Sequence, residues 1–339
     1  MDKLVAVDAL QIGMYVKLQD DSIKGTGLEK AFFITDPGQL RQIRGLSLRY
    51  GKVYVDLDRQ WQPSPIDDMS HAAESEKRET SVVEPESSPE QAQQNSVDRI
   101  KQAASDPSME PKKKAAAVYQ SAREIMQTLF ECPTAEFIKD TKEAVGSLVD
   151  MVLEDEEAAN ALIKVTQHDY YTYTHSVNVG TLSICLAKKL FQTDTASHDM
   201  RELGAGFFLH DLGKVRVEKE ILNKPSRLTE AEMKRMRIHP YQSYKILQES
   251  SQLSEECRVI AMQHHERDDG TGYPLRLKGE QIHVYGRICC IADVYDALTA
   301  KRSYKEAMPP FEALKIMKNE MLHHFHREIF NNFVMLFSK

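Results

Sequence analysis

Beyond Ala115, apolar residues recur three and four apart almost to the last residue, and runs rich in β-branched side chains become rare. Val118, Ala122, Ile125 and Leu129 share one helical face, and Pro133 closes that segment. Val145, Leu148, Val149 and Val152 mark the next face. Thr229-Glu230-Ala231-Glu232 reads as a capping box in front of a further helix. The spacing predicts an all-helical bundle of seven or more helices over residues 113–339, with no internal repeat.

Residues 1–61 read differently. Val16 to Leu18, Ala31 to Thr35 and Val53 to Leu57 are short strand-like runs. Between the last two, Gln39 to Arg44 fits a short helix, with Asp36 as N-cap, Pro37 in the first turn and Gly45 at the end. A small α/β regulatory or docking domain is expected here. Residues 62–112 then lose apolar content: Pro63-Ser64-Pro65 opens the stretch and Glu84-Pro85-Glu86-Ser87-Ser88-Pro89-Glu90 sits within it. So polar a segment buries too little to offset its ordering entropy, and a flexible linker is expected, with room for a short helix over Val97 to Ala104. Lys112-Lys113-Lys114 is read as a solvated helix start. The fold class is thus mainly α: a helical bundle preceded by a small α/β domain and a linker.

Composition excludes several functions. The 339 residues carry a net charge of −7, which argues against a partner that is a nucleic-acid polymer or an anionic membrane surface. No apolar run approaches the roughly 20 residues of a membrane helix, and Met1-Asp2-Lys3-Leu4-Val5 does not begin a signal peptide. The five cysteines form no C-x-x-C pair, so neither a disulfide scaffold nor a cysteine metal site is expected, and a reducing cytoplasm is.

Seven residues carry the chemistry: His175, His210, Asp211, His239, His264, His265 and Asp293. A lone histidine is more often a surface or core residue than a ligand. His-Asp, His-Pro and His-His-Glu in order within helical sequence is much harder to reach by chance. The donor types suit two divalent ions, with a carboxylate between histidines able to bridge them through its two oxygens. Lys214, three residues beyond Asp211, shares its helix face if the helix persists.

Phe207-Phe208-Leu209-His210-Asp211-Leu212-Gly213-Lys214 resembles the signature of the HD-superfamily phosphohydrolases. His264-His265-Glu266-Arg267-Asp268-Asp269-Gly270-Thr271-Gly272-Tyr273-Pro274 closely resembles the HD-GYP motif. Thr174 to Val179, Ile221 to Pro225, His239-Pro240 and Ile291 to Thr299 match further blocks, so the resemblance covers about residues 115–335. Gly13-Met14-Tyr15-Val16 is similar to the small uncharacterised domain that often precedes this catalytic domain, although the Trp and His-Pro-Phe expected shortly after are absent.

The resemblance implies a bacterial cyclic-dinucleotide phosphodiesterase that opens cyclic di-GMP to linear pGpG, and on to GMP in some cases. It implies two metals, for which the mixed histidine and carboxylate donors suit iron or manganese while donor type alone leaves zinc and nickel open: one held by His210, Asp211 and Asp293 with His175 nearby, the other by Asp211, His239, His264 and His265. A third metal in some relatives uses a Glu where this chain has Tyr171. Lys214 is implied to stabilise developing charge, and Arg302 and Lys305 to contact phosphate. The loop carrying Gly270, Gly272, Tyr273 and Pro274 is implied to shape the substrate mouth and to offer a surface to cyclic di-GMP synthases. Glu266 and Asp269 are read as holding that loop or orienting a ligand histidine. His323, His324 and His326 are read as drift in a terminal helix cap, because His326-Arg327 replaces the family's Asp-Pro. Three alternatives stay open: preference for 3′3′-cyclic GMP–AMP, a catalytically silent cyclic-dinucleotide receptor, and an interaction scaffold. A homodimer through an exposed apolar face is compatible with each.

Overall fold

A computed structural model describes residues 2–6, 15–17, 31–33, 52–56, 89–166, 172–301 and 307–338. The chain divides into two compact units, Met1–Glu86 and Ser87–Lys339. In the first, β1 (Asp2–Ala6), β2 (Tyr15–Lys17), β3 (Ala31–Phe33) and β4 (Lys52–Asp56) form an antiparallel sheet in the order β1-β4-β2-β3. Val16 lies opposite both Phe32 and Val55, and Leu4 opposite Tyr54. The last three strands overlap the predicted runs, two of them beginning one residue earlier. β1 does not, because Asp2-Lys3-Leu4-Val5-Ala6 has one β-branched residue, and its strand state rests on pairing with β4. The helix expected over 39–44 lies outside the described residues.

The second unit is helical. Its elements are α1 (Pro89–Ser105), α2 (Pro111–Glu131), α3 (Ala135–Glu154), α4 (Glu156–Val165), α5 (Thr172–Leu190) and α6 (Met200–Leu209). They continue with α7 (Lys219–Leu222), α8 (Glu230–Met236), α9 (His239–Glu249), α10 (Glu255–Gln263), α11 (Val284–Thr299), α12 (Pro310–Glu320) and α13 (Arg327–Val334). Val118, Ala122, Ile125 and Leu129 are buried on α2, and Val145, Leu148, Val149 and Val152 on α3, as their spacing requires. Thr134, Asp155, Asp199 and Ser254 each accept a backbone N–H three residues on, and so start α3, α4, α6 and α10. Each such cap is worth about 1 kcal/mol. The Thr229–Glu232 capping box is formed at the start of α8.

α1 corrects the linker expectation: from Pro89 the stretch is helical, not flexible. Val97, Ile100 and Ala103, at helical spacing, are buried in the core against α2 and α3, and three such anchors offset an otherwise polar composition. Lys114 also departs from expectation. Its side chain is buried and its Nζ lies 3.0 Å from Asp155 Oδ2, tying α2 to the cap of α4.

α5 is the central element. Every residue from Thr174 to Ala187 is buried, as in a helix surrounded on all sides, and α2, α6 and α11 pack around it. Among the described residues no helix is long and apolar enough to cross a membrane.

Candidate metal centre

Five places in the bundle bring the seven predicted residues together. His175 is in the first turn of α5, and Asp293 is on α11. His210 and Asp211 follow α6, His239 opens α9, and His264 and His265 follow α10. The ligand atoms fall into two groups, Asp211–His239–His264–His265 and His175–His210–Asp293, each with donors within 4.8 Å of one another.

The turn after α6 sets the geometry. The α-helix stops at Leu209 instead of continuing to Lys214, and Leu212–Arg216 forms a tighter 3₁₀ turn. Residues three apart eclipse in such a turn, so Lys214 still meets Asp211, and its ammonium donates to Asp211 Oδ2. Gly213 allows this turn to press onto α9. A Cβ there would lie 2.1 Å from the His239 carbonyl oxygen and 2.4 Å from the Ser243 nitrogen. The Gly213 N–H instead donates to Ser243 Oγ at 2.7 Å, and Ser243 Oγ donates to the His210 carbonyl at 2.7 Å.

Asp211 divides its oxygens between the two groups. Oδ2 lies 3.3 Å from His210 Nε2 and 3.4 Å from His175 Nε2; Oδ1 lies 3.1 Å from His239 Nε2 and 3.7 Å from His264 Nε2. Asp293 reaches both sides as well, with Oδ1 3.0 Å from His175 Nε2 and Oδ2 3.4 Å from His265 Nδ1.

The imidazole tautomers follow from their outer partners. Nδ1 of His210 meets the Phe207 carbonyl at 2.8 Å, that of His239 the Met236 carbonyl at 2.8 Å, and that of His264 the Ala261 carbonyl at 3.0 Å. A carbonyl only accepts, so each Nδ1 donates and each neutral ring turns an Nε2 lone pair inward. Two such nitrogens face each other, His239 Nε2 and His264 Nε2 at 3.2 Å, and His265 Nε2 lies 3.1 Å from the first. His210 Nε2 and Asp211 Oδ1 are buried without a hydrogen-bond partner among the described residues. Lone pairs facing lone pairs and a carboxylate in a buried site fit divalent cations, which resolve the repulsion. These groups are able to bind divalent metal.

Electrostatics agree. Burial works to raise the Asp211 carboxyl, yet Lys214 and His210 hold it well below the usual carboxylate range. Burial depresses His264 strongly and His265 to about 3, which keeps both in the neutral, ligating form.

Sequence reasoning gave no role to Asp296. Its Oδ2 lies 2.6 Å from His175 Nδ1, and its Oδ1 accepts from Asn178 Nδ2 at 2.7 Å, while Tyr119 Oη donates to Asn178 Oδ1 at 2.6 Å. The signal was its place three residues beyond Asp293, hence on the same face of α11.

The glycine-rich loop folds back over the end of α10. Glu266 accepts backbone N–H bonds from Leu275, Arg276 and Leu277, and the Asp269 carboxylate accepts from the Thr271 N–H. Both contacts lie within the loop, and neither hydrogen-bonds a histidine of the two groups. Gly270 has the left-handed φ of +83° expected of a loop glycine. Gly272 is needed for close approach instead: a Cβ would lie 2.6 Å from Glu266 Cα and 2.7 Å from the His265 carbonyl. The loop thereby stacks Tyr273 on His265, with ring centroids 4.6 Å apart, beneath the Arg237 guanidinium at 5.3 Å. Arg302, Lys305 and Tyr171 lie outside the described residues.

The comparisons with known proteins fall on the same segments. The "HD domain" family matches residues 153–329, and a "Domain of unknown function (DUF3391)" matches residues 2–144. Over 190 residues the chain is 40% identical to the cyclic di-GMP phosphodiesterase PA4108 of Pseudomonas aeruginosa, covering 56% of this chain and 45% of that protein. Over 151 residues it is 40% identical to 3′3′-cGAMP-specific phosphodiesterase 3 of Vibrio cholerae, covering 44% and 32%. Over 178 residues it is 34% identical to a cyclic di-GMP phosphodiesterase of Thermotoga maritima, covering 52% and 47%. The matches thus span less than half the length of these relatives. The solved structure of Bd1817, an HDG"Y"P protein from Bdellovibrio bacteriovorus, shares the fold over the whole of both chains, with a TM-score of 0.62 and 18% identity. With a histidine–aspartate pair at the junction of two ligand groups, and with more than half its length inside that family match, this chain belongs to the HD domain family.

Proposed function

We propose that the chain is a metal-dependent phosphodiesterase that hydrolyses cyclic di-GMP to linear pGpG. The observation that carries this reading is the division of Asp211: one carboxylate, two oxygens, two facing sets of donors. His175, His210 and Asp293 would hold one ion and His239, His264 and His265 the other, with Asp211 between them. Mixed imidazole and carboxylate donors suit iron or manganese. Bound there, two ions activate water and neutralise phosphoryl oxygens.

The chain's own side chains complete the reading. Lys214 sits where a phosphodiester anion drawn to the centre would arrive, and its ammonium stabilises charge on the leaving oxygen. Tyr273, a flat ring over His265, borders the mouth and supports a nucleobase-facing role. Arg302 and Lys305 are proposed phosphate contacts. Residues 1–61 are read as a regulatory or docking module, and the loop from Glu266 to Leu277 as the surface that meets a cyclic di-GMP synthase.

A second substrate, 3′3′-cyclic GMP–AMP, is favoured by the Vibrio cholerae relative named for it. The ligand set reads phosphate and is blind to the base. The test is turnover by anaerobically purified protein of known iron, manganese and zinc content, with each dinucleotide in turn and Asp211→Ala as control. Metal-dependent linear product, lost in the control, is expected. Metal-replete protein that binds nucleotide without product would make it a receptor.

A further inference from the structure

The C-terminal histidines meet an aspartate that is distant in sequence. Asp269, in the glycine-rich loop, directs Oδ2 to within 3.8 Å of both His323 Nε2 and His324 Nε2, and all three donor atoms lie within 4.8 Å of one another. The two imidazoles are tilted side by side with centroids 4.2 Å apart. None of these three residues belongs to the two groups around Asp211.

We propose that Asp269, His323 and His324 form a separate binding site for a borderline divalent cation of the zinc, nickel or cobalt class. Two imidazoles and one carboxylate are a donor set for such ions, whereas magnesium and calcium require more oxygen donors. Around an ion with bonds near 2.1 Å, tetrahedral donors stand about 3.4 Å apart, so the two 3.8 Å separations from Asp269 Oδ2 close with a sub-ångström shift, and the imidazoles draw together by a side-chain rotation. His323 can make that shift, since its side chain is 60% exposed. The other two are held from outside. The Asp268 N–H donates to the His324 carbonyl at 3.0 Å, and Asp269 Oδ1 is occupied by Thr271, which leaves Oδ2 for the ion. An ion here clips the glycine-rich loop to the turn before α13.

Arg267 is the built-in competitor. Its Nη1 lies 3.4 Å from His324 Nε2, the atom the cation needs. The site therefore fills only when Arg267 turns away, and its affinity is set partly by that side chain.

Equilibrium dialysis of the full chain against buffered free zinc, counting zinc per chain at the plateau, tests the proposal with zinc itself as probe. His323→Ala, at an exposed position, is expected to bind one ion fewer than the wild type with unchanged circular dichroism. Arg267→Gln is expected to keep that ion and bind it at roughly threefold lower free zinc, the scale of removing one partly exposed like charge. A His323→Ala plateau equal to that of the wild type would overturn the proposal.

Discussion

Nδ1 of His175 lies 2.6 Å from Oδ2 of Asp296 in a fully packed part of α5 and α11. This contact fixes which edge of the imidazole faces the metal centre, and a second contact fixes Asp296, whose other oxygen accepts from Asn178 at 2.7 Å. Asp296→Asn leaves an amide that can accept from only one of those two donors. The expected outcome is about a 10- to 100-fold loss of metal affinity, as for other partners of ligand histidines. Calorimetric titration with manganese measures it directly. Unchanged affinity would show that His175 is oriented without Asp296.

Lys214 and Asp211 should separate metal binding from turnover. Lys214 contacts the buried Asp211 carboxylate but keeps 15% of its own side chain exposed. Lys214→Met is expected to retain the bound metals and lose about 10²- to 10³-fold in kcat, the scale of removing one group aimed at developing charge. Asp211→Asn is expected to lose metal itself. Metal analysis beside the kinetics distinguishes the two; loss of metal in Lys214→Met would make the lysine part of the scaffold.

The seven residues of the two donor groups were legible because metal chemistry restricts residue type, and because His-Asp, His-Pro and His-His-Glu survive as local strings. The helical faces of α2 and α3 were legible from spacing alone. Asp296 was not, since its partners Asn178 and His175 are more than a hundred residues away and only tertiary packing brings them together. α1 was under-read for a related reason: its polar composition suggests disorder, and the few apolar positions gain meaning only against α2 and α3. The meeting of Asp269 with His323 and His324 likewise depends on the loop folding back, which the glycines permit but do not by themselves direct.

Gly213 is expected to tolerate no side chain. Its missing Cβ would fall within 2.4 Å of backbone atoms of both His239 and Ser243, and backbone cannot step aside as a flexible side chain can. Gly213→Ala is predicted to destabilise the metal-free protein by about 3 kcal/mol, at the upper end of overpacking costs. Gly279→Ala is the control. It has φ +50° but nothing within 4 Å of its Cβ, so only the left-handed backbone term of about 1 kcal/mol applies. Urea unfolding curves that rank the two variants equally would mean that α9 shifts to make room.

The loop after α7 contributes a pH dependence of known sign. Glu232 receives Lys224 Nζ at 2.9 and 2.6 Å and the Thr229 N–H at 2.7 Å, and these bonds pull its carboxyl from 4.5 to about 2. A depressed folded value means that the unfolded chain takes up the proton first. The contribution is therefore fully present above about pH 4.5 and is lost as pH falls toward 2. Carboxyl-detected NMR should find Glu232 still ionised at pH 3.5. Lys224→Ala should return its midpoint toward 4.5, because the lysine is the largest cause of the shift. An ordinary Glu232 midpoint in the wild-type protein would mean that Lys224 and the capping box are not joined in solution, and that the Asn223-Lys224-Pro225 segment is not anchored to α8.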